Sequence, residues 1–419
     1  MRPAQTLNRA RGAMLGMAVG DALGAPLEGL GPQQIRTHYT SVEDYVDGTR
    51  AWRRKSDRWR VPGLYTDDTQ QALTVAETLI ECGEMRAVHL AEFWRRMYRT
   101  SVEESGFQLP NGVHRNIGRN FRLALEQLTA GQPIHTISQA SAGLGAAVRV
   151  VPLALAYRED ADRLYHAVVE SSLLTHSDIR GISAALAVAF ATARLLNGEA
   201  KEPSFLFHVA GDTARSESRL AQEFPDRILN LNPHLHSISR CIANVERLLD
   251  MPQDQAYLMI LDEARNHGPS VPCKRPTMGF APAALASCFY LLITSGSYQE
   301  ALIDVVNQGG DADTAGAILG AMCGAHFGLD GIPQDWLTPL FNLEGIDARA
   351  QALMTSPEKI NRKMIPDLIE TEARLSRMEY RHCQELKAGF SFQSSTDLDQ
   401  SVGNQPKASD GPPSSTDPD

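Results

Sequence analysis

The sequence predicts an all-α protein. Three long stretches rich in strong helix formers, Ser183–Leu196, Pro282–Ile293 and Thr69–Ile80, have the length and composition of buried helices. Long alternating runs of apolar and polar residues, which would indicate strands, do not occur in the sequence. The best strand candidate is Arg149–Leu153, and Pro152 weakens it because proline cannot donate a hydrogen bond to a sheet.

Two of the predicted helices carry glycine at every fourth position. The glycines are Gly12, Gly16, Gly20 and Gly24 near the start of the chain, and Gly316, Gly320, Gly324 and Gly328 near its end. A glycine inside a helix costs about 1 kcal/mol relative to alanine, so each stripe needs a compensating contact. Close approach of another helix backbone is the simplest one. We therefore expect the two helices to pack together at the centre of the fold; the alternative is that each packs against another element.

The organisation along the chain predicts one large domain followed by a tail. We find no clear linker between Arg9 and about Lys387, so residues 1–390 are expected to form a single helical domain. Residues 391–419 contain one aromatic residue and many Ser, Asp, Gln and Gly. Such a segment cannot bury enough apolar surface to order itself, so we expect a disordered acidic tail. With five Asp and one Lys, it carries −4 of the net charge of −10.

Composition excludes several classes of function. Hydrophobic residues make up 43% of the chain and charged residues 21%, an ordinary globular balance. The 50 acidic residues outnumber the 40 basic ones, which argues against a general nucleic-acid binder. The six cysteines are irregularly spaced and form no C-x-x-C pair, so neither a disulfide framework nor a zinc site is expected. Reduced thiols predict a cytoplasmic protein.

Membrane attachment is not expected either. The apolar run Gly12–Gly20 follows three arginines and superficially resembles a signal peptide, but Asp21 and Glu28 interrupt it. No other window of the sequence has the length of apolar residues that a membrane-spanning helix needs.

Two short acidic motifs carry the chemistry. Each places two carboxylates and neighbouring hydroxyls at the predicted start of a helix: Tyr65–Thr69 in the first and Gln308–Thr314 in the second. Capping of the helix is the simpler interpretation of the first motif, since Thr and Asp are preferred caps. The second is more specific, because Gly309-Gly310 allows a sharp turn before the acidic residues. Hard oxygen donors of this kind suit Mg²⁺, Mn²⁺ or Ca²⁺, and four carboxylates can hold a pair of such ions.

Three motifs taken together resemble the ADP-ribosylglycohydrolase family, the type named after dinitrogenase-reductase-activating glycohydrolase. They are the segments Gly16–Glu28, Thr66–Thr69 and Gly309–Thr314, and the resemblance runs from about Arg11 to Trp336. It implies a compact, single-domain orthogonal helical bundle with a binuclear metal centre at its core, holding two Mg²⁺ or Mn²⁺ ions. It also implies hydrolysis of the glycosidic bond at C1″ of ADP-ribose, with an ADP-ribosylated protein as substrate and ADP-ribose as product.

Position by position, the resemblance suggests roles for individual residues. The metal ligands it implies are Thr66, Asp67, Asp68, Asp311, Asp313 and Thr314. Glu28 matches a family glutamate that lies beside the metals; its alternative interpretation is an exposed residue after a proline. In this chemistry the ions orient the ribose hydroxyls and a water, and a carboxylate acts as base or stabilises positive charge at the anomeric carbon. We expect Glu28 or Asp311 to have that catalytic role.

Two further segments resemble substrate-binding parts of the family. The run Ser141–Arg149 corresponds to a Gly-Asn-Gly loop that holds the diphosphate and ribose, with Leu144 in place of the usual Asn. Ser141, Gly143 and Gly145 can still present backbone N–H groups to phosphate oxygens. His176 belongs to a Thr-His pair that the family carries near its ligand, although a lone histidine is usually structural.

Basic residues cluster between Arg50 and Arg60, interleaved with Trp52 and Trp59. A nucleic-acid substrate could bind such a patch by charge and stacking. The alternative is a solvated loop whose tryptophans pack on the domain, and that interpretation is favoured.

We expect the residue of the target protein that carries ADP-ribose to be arginine. The acidic pair Glu103 and Glu104 could contact its guanidinium group. Two other functions stay open from the sequence. One is a catalytically inactive relative that binds ADP-ribose or serves a structural role, which Leu144 keeps open. The other is a two-metal phosphohydrolase that uses the same ligands on a different bond.

Overall fold

The structure is a computed structural model that describes residues 3–53, 55–269, 272–355 and 359–402, with side chains to residue 389. Within these ranges the regular secondary structure is helical apart from one short hairpin and two isolated β-bridges, which confirms the all-α prediction. The helices are α1 (Pro3–Gly24), α2 (Pro32–Tyr39), α3 (Asp67–Cys82), α4 (Ala87–Arg99), α5 (Arg119–Thr129), α6 (Val151–Tyr157), α7 (Ala161–Ser172), α8 (Ile179–Leu196), α9 (Pro203–Glu223), α10 (Leu231–His234), α11 (Ser237–Asn244), α12 (Gln253–Arg265), α13 (Ala281–Thr294), α14 (Tyr298–Val306), α15 (Ala312–Phe327), α16 (Gln334–Leu337), α17 (Leu343–Leu353) and α18 (Leu368–Val402).

The hairpin joins β1 (Glu103–Glu104) to β2 (Phe107–Gln108) in antiparallel register, with Glu103 opposite Gln108. The strand candidate at Arg149–Leu153 is wrong, because residues from Val151 onward form α6. Pro152 lies in the first turn of that helix, where its missing N–H would have no partner in any case.

The three apolar stretches that predicted helices are α3, α8 and α13. Helix α8 lies in the core, with nearly every residue buried. By length and composition it is the one helix in the described part of the chain that could cross a membrane, but 94% of it is buried inside the protein. The apolar character of α8 is therefore that of a core helix.

The two glycine-striped helices pack against each other, as the spacing predicts. They run antiparallel, so that Gly12 lies against Gly324 and Gly16 against Gly320. A Cβ atom added to Gly16 would lie 2.5 Å from the carbonyl oxygen of Gly320, and one added to Gly12 would lie 2.5 Å from that of Gly324. The backbones are in direct contact, and no side chain larger than hydrogen fits between them.

The end of the chain is only partly described. Helix α18 continues past residue 390 to Val402, and residues 403–419 lie outside the described residues. The predicted boundary at residue 390 and the disordered tail stay predictions. The six cysteines are all free, which fits the expectation that they form no disulfide framework.

The glycine contact gives a first prediction. Replacing Gly16 or Gly320 by leucine should abolish soluble expression, because the new side chain meets backbone that cannot move aside. A matched control is Gly211→Ala in helix α9, where an added Cβ meets nothing closer than 3.5 Å. That variant should be as stable as the wild type or up to about 1 kcal/mol more stable. Expression level and thermal unfolding measure both, and wild-type stability in the two leucine variants would contradict the packing.

Candidate functional site

The antiparallel pairing of α1 and α15 places the end of one beside the start of the other. Glu28 follows the short 3₁₀ turn Ala25–Leu27 after α1, and Asp311 immediately precedes α15. Two backbone hydrogen bonds connect these loops: Gly29 N donates to Gly310 O over 2.6 Å, and Gly310 N donates to Leu30 O over 2.9 Å. The predicted Gly309-Gly310 turn is present, with φ angles of 64° and 71°, values that glycine adopts without strain.

The start of α3 is attached to α1 through Asp21. This carboxylate is fully buried and accepts hydrogen bonds from Thr66 N (3.0 Å), Thr69 N (3.0 Å) and the Thr69 hydroxyl (2.7 Å). Thr66 itself caps the helix, since its hydroxyl accepts from Asp68 N over 3.3 Å. Helix N-termini favour negative charge and exposed N–H groups need acceptors, so Asp21 satisfies both requirements.

These elements surround a cavity of about 270 Å³. Its wall contains every predicted site residue except Thr66, whose place is beneath the first turn of α3. The lining residues are Glu28, Asp67, Asp68, Gln71, Asn116, Gly118, Arg119, Asn120, Phe121, Ser141, Gly143, Leu144, Gly145, Arg149, Thr175, His176, Gly279, Asp311, Asp313 and Thr314. Residues that are far apart in sequence thus meet at one place.

The carboxylates in this cavity raise one another's pKa. Burial, and after it the charge of neighbouring carboxylates, raises the pKa of Asp67, Asp68 and Asp313 well above the ordinary value. Burial and then Glu28 raise the pKa of Asp311 to about 6. One hydrogen bond across the cavity opposes this, because the Thr314 hydroxyl donates to Asp68 Oδ2 over 2.8 Å and so connects α15 to α3.

The side chains present fit a pair of hard divalent cations. Buried carboxylates that repel one another are stabilised by a cation, and oxygen-only donors are the set that Mg²⁺ and Mn²⁺ prefer. In the described residues no three His, Cys, Asp or Glu side chains are already arranged as a coordination shell. The aspartates share the cavity wall, and binding an ion would require their side chains to turn toward it.

The glycine-containing loop forms the opposite side of the cavity. Ser141 fixes its shape, since the hydroxyl accepts from Asn120 Nδ2 over 2.7 Å and from Gly143 N over 3.2 Å. Leu144 is almost completely buried and belongs to the hydrophobic core. The side chain at position 144 therefore holds the loop by packing in the core. A side-chain amide is still present beside the loop, because Asn120 at the start of α5 donates to Ser141.

A buried arginine connects α3 to His176. Arg149 is fully buried and donates from Nη1 to Gln71 Oε1 over 2.6 Å and from Nη2 to the hydroxyl of Thr175. Gln71 in turn donates to Asp67 Oδ2 over 2.9 Å. The guanidinium also lies over the Trp94 ring, 5.0 Å from its centroid, a favourable cation–π distance.

This network favours one tautomer of His176. Arginine can only donate, so the Thr175 oxygen accepts from Arg149 and its own proton is free for His176 Nδ1, 2.8 Å away. Burial and then Arg149 lower the pKa of His176 to about 3, so the ring is neutral. A neutral ring that accepts at Nδ1 carries its proton at Nε2. That atom is buried and has no hydrogen-bond partner in the described structure, so it is available to donate to a ligand oxygen.

The basic stretch before α3 packs on the domain. Trp59 is buried, and the indole N–H of Trp52 donates to Pro26 O over 3.0 Å. Arg58 pairs with Glu28 at 2.6 Å at the edge of the cavity, where Glu28 is about one-third exposed. These contacts agree with the prediction of a loop whose tryptophans pack on the domain. They do not support a nucleic-acid site.

Sequence reasoning missed several residues of the cavity and its support. Asp21 lies inside the Gly16–Glu28 motif, and Gln71 lies one helical turn after Asp67, so a helical reading of the motifs could have found both. Arg149 and the Asn116–Phe121 wall gave no such signal. Glu103 and Glu104 do not line the cavity; Glu104 instead pairs with Arg381 at 3.1 Å.

Comparison with solved structures defines the class of protein. The fold is similar to that of a chain described as "ADP-ribosylglycohydrolase-related protein complex", with a TM-score of 0.59 and 27% sequence identity. The match covers 84% of this chain and 98% of that one. An all-α glycohydrolase fold therefore accounts for most of the described structure.

The sequence comparisons then give the family. A family model described as ADP-ribosylglycohydrolase matches residues 2–362, so the chain belongs to that family and is an ADP-ribosyl glycohydrolase. It is 26% identical to ADP-ribosylarginine hydrolase Tri1 of Serratia proteamaculans (85% of this chain, 81% of that protein). It is 25% identical to ADP-ribosyl-[dinitrogen reductase] glycohydrolase of Rhodospirillum rubrum (80% and 90%) and 26% identical to ADP-ribosylhydrolase ARH3 of Homo sapiens (84% and 94%).

The tautomer assignment can be measured directly. Nitrogen-15 spectra of histidine-labelled protein should show His176 with its proton on Nε2 in the wild type and in Thr175→Ser, which keeps the hydroxyl. Thr175→Val removes the proton donor to Nδ1, so a fraction of rings should carry the proton there instead. It should also cost about 1–3 kcal/mol of unfolding free energy, because one Arg149 donor loses its partner. An unchanged spectrum in Thr175→Val would contradict the network.

Proposed function

We propose that the protein is a divalent-metal-dependent hydrolase that cleaves the bond between ADP-ribose and a modified arginine of a target protein. The observation that carries the proposal is the single cavity in which the acidic ends of α3 and α15, Glu28 and the loop Ser141–Gly145 meet. The acidic part of the cavity suits cations and ribose hydroxyls. The part formed by the loop Ser141–Gly145, with its small residues and N–H donors, suits a diphosphate.

Two Mg²⁺ or Mn²⁺ ions, when bound, would orient the ribose hydroxyls and lower the pKa of a water molecule. Asp67, Asp68, Asp311, Asp313 and Thr314 are the residues that would hold them. Thr66, whose hydroxyl caps α3 by accepting from Asp68 N, is proposed as a further ligand. The six free cysteines suit a reducing compartment, so we also propose a cytoplasmic location.

Residues of the same cavity would also act on the substrate. Asp311, besides holding a cation, could take a proton from the attacking water. Glu28 can do the same or stabilise positive charge at the anomeric carbon. Gly143 and Gly145 can bring backbone N–H groups to the diphosphate, and His176 can add a donor from Nε2.

Arginine is proposed as the modified residue because of similarity to relatives. Relatives named for hydrolysis of ADP-ribosylarginine cover most of the chain. Arg119 also lines the cavity, so the acidic character is confined to the wall formed by α3, α15 and Glu28.

A release assay on a panel of substrates tests the function. Protein freed of metal is supplied with Mg²⁺ or Mn²⁺ and given ADP-ribose linked to arginine, serine or DNA. We expect free ADP-ribose from the arginine substrate only when metal is present. Release of phosphate would indicate a phosphohydrolase, and no release from any member would favour an inactive binding protein.

Asp311→Asn is the matched variant for this assay. It keeps the size of the side chain but removes the charge and the base, so it should fold normally and lose metal-dependent turnover by about 100-fold or more. Circular dichroism checks the fold and the assay checks the rate. Full activity in Asp311→Asn would refute the role given to this carboxylate.

The raised pKa values predict how metal binding depends on pH. A raised pKa keeps a carboxyl protonated to higher pH, so an incoming ion must displace protons. Affinity for Mn²⁺ should therefore increase from pH 6 to pH 8, by about twofold from Asp311 alone and by more from the other aspartates. Calorimetry in buffers of different ionisation enthalpy counts the protons released. Equal affinity at both pH values, with no proton release, would contradict the assignment.

A further inference from the structure

A buried glutamate on α18 lies outside the mechanism described above. Glu372 is fully buried and lies beyond residue 362, where the family match ends. It accepts three hydrogen bonds of 2.6 Å each. The donors are the Tyr65 hydroxyl, Gln70 Nε2 and Arg115 Nη1. A carboxylate removed from water and satisfied so completely is built to hold its partners in place.

The partners of Glu372 come from both sides of the cavity. Tyr65 directly precedes Thr66, and Gln70 lies in the first turn of α3. Arg115 directly precedes Asn116, which lines the cavity.

Gln70 connects the two sides a second time. Its Oε1 accepts from Arg115 N over 3.1 Å, and its Nε2 donates to Val113 O over 3.0 Å. The start of α3 and the segment that leads into the cavity wall are therefore joined through Gln70 and Glu372, and also by Arg115, which donates from Nη2 to Tyr65 O over 3.3 Å.

The charge of Glu372 has a specific partner. The Arg115 side chain is 1% exposed and that of Glu372 is 0% exposed, so the two form a buried ion pair. Arg115 also stacks on the Tyr65 ring, 5.1 Å from its centroid. Removing one member of a buried pair leaves the other charge uncompensated, here directly beneath the residues that begin α3.

The same face of α18 makes further contacts at intervals of one helical turn. The Ser376 hydroxyl donates to Val113 O over 2.8 Å, and Tyr380 stacks on Phe107 with centroids 5.1 Å apart. Residues 372, 376 and 380 follow the spacing of a single helix face. Helix α18 therefore contacts three parts of the chain: the hairpin at Phe107, the segment at Val113 and the residues at the start of α3.

We propose that Glu372 is a positioning residue of the catalytic site, which fixes the start of α3 and the wall at Asn116 relative to each other. The inference deepens the proposed function and rests on it, because it takes the cavity to be the site of reaction. It adds to the residues that shape the site one that lies beyond residue 362, where the match to the family model ends.

Glu372→Gln tests the proposal, because glutamine keeps the shape and removes the charge. Glu217→Gln is the matched control. Glu217 is also 0% exposed and accepts from the Ser239 hydroxyl over 2.6 Å, but Glu217 and Ser239 are not next to residues that line the cavity. Hydrogen exchange of the ligand-free protein and the Kd for ADP-ribose are measured for both. In Glu372→Gln we expect exchange about tenfold faster in residues 64–72 and 112–120, with an about tenfold higher Kd. Glu217→Gln should change neither.

A double variant separates positioning from general stability. Arg115→Met with Glu372→Met replaces the buried pair by apolar side chains of similar size, which often restores stability. We expect thermal stability to return towards the wild type while the Kd for ADP-ribose stays high. Recovery of both together would mean that Glu372 acts on stability alone and would overturn the proposal.

The remaining outcomes are also decisive. Unchanged exchange in Glu372→Gln, or equal changes in Glu217→Gln, overturns the proposal whatever the activity of the wild type. A wild type that binds no ADP-ribose refutes the proposed function, while the exchange data still decide the role of Glu372. If Glu372→Gln does not fold, Tyr65→Phe removes only the hydroxyl that donates to Glu372 and accepts from Asn342, and it should speed exchange in residues 64–72 about threefold. No change there would overturn the proposal.

Discussion

The contact between the backbones of α1 and α15 is the constraint on which the rest of the structure depends. Because Gly16 and Gly320 meet without intervening side chains, the backbones of the two helices are in direct contact. The register of this contact places Glu28 beside Asp311 and brings Asp21 to the N-terminus of α3. A change of register by one turn would separate these groups by about 5 Å, so the geometry of the cavity depends on this register.

The same geometry concentrates negative charge where it is costly. The carboxylates at the starts of α3 and α15 are buried, and each makes ionisation of its neighbours harder. The chain offsets this with the N-terminal dipoles of two helices, with the hydroxyl of Thr314 and with the buried guanidinium of Arg149. These groups orient the carboxylates without neutralising all of them, and the remaining negative charge supports the proposed binding of cations.

The sequence is most informative where a local rule meets a packing requirement. Glycine at every fourth position predicts the α1–α15 contact, because no other arrangement compensates so well for its cost in a helix. The paired acidic motifs likewise predict which side chains meet in the cavity, apart from Thr66, which caps its helix. Arg149 and Glu372 could not be predicted in this way: Gln71 lies 78 residues from Arg149, the partners of Glu372 lie more than 250 residues from it, and no local pattern records these contacts. The strand suggested near Pro152 failed because tertiary packing favours a helix there.

The glycine contact also sets a time order for synthesis. Roughly 300 residues separate the two stripes, so α1 leaves the ribosome long before its partner exists. At translation rates of about 5–20 residues per second, the interval is roughly 15–60 s. Throughout that time the small apolar residues of α1 lack helix α15, on which they pack. Asp311 and Asp313, which line the cavity, have not yet been synthesised. The site is thus incomplete until Asp313 has been synthesised, and α1 is a segment that chaperones have reason to bind.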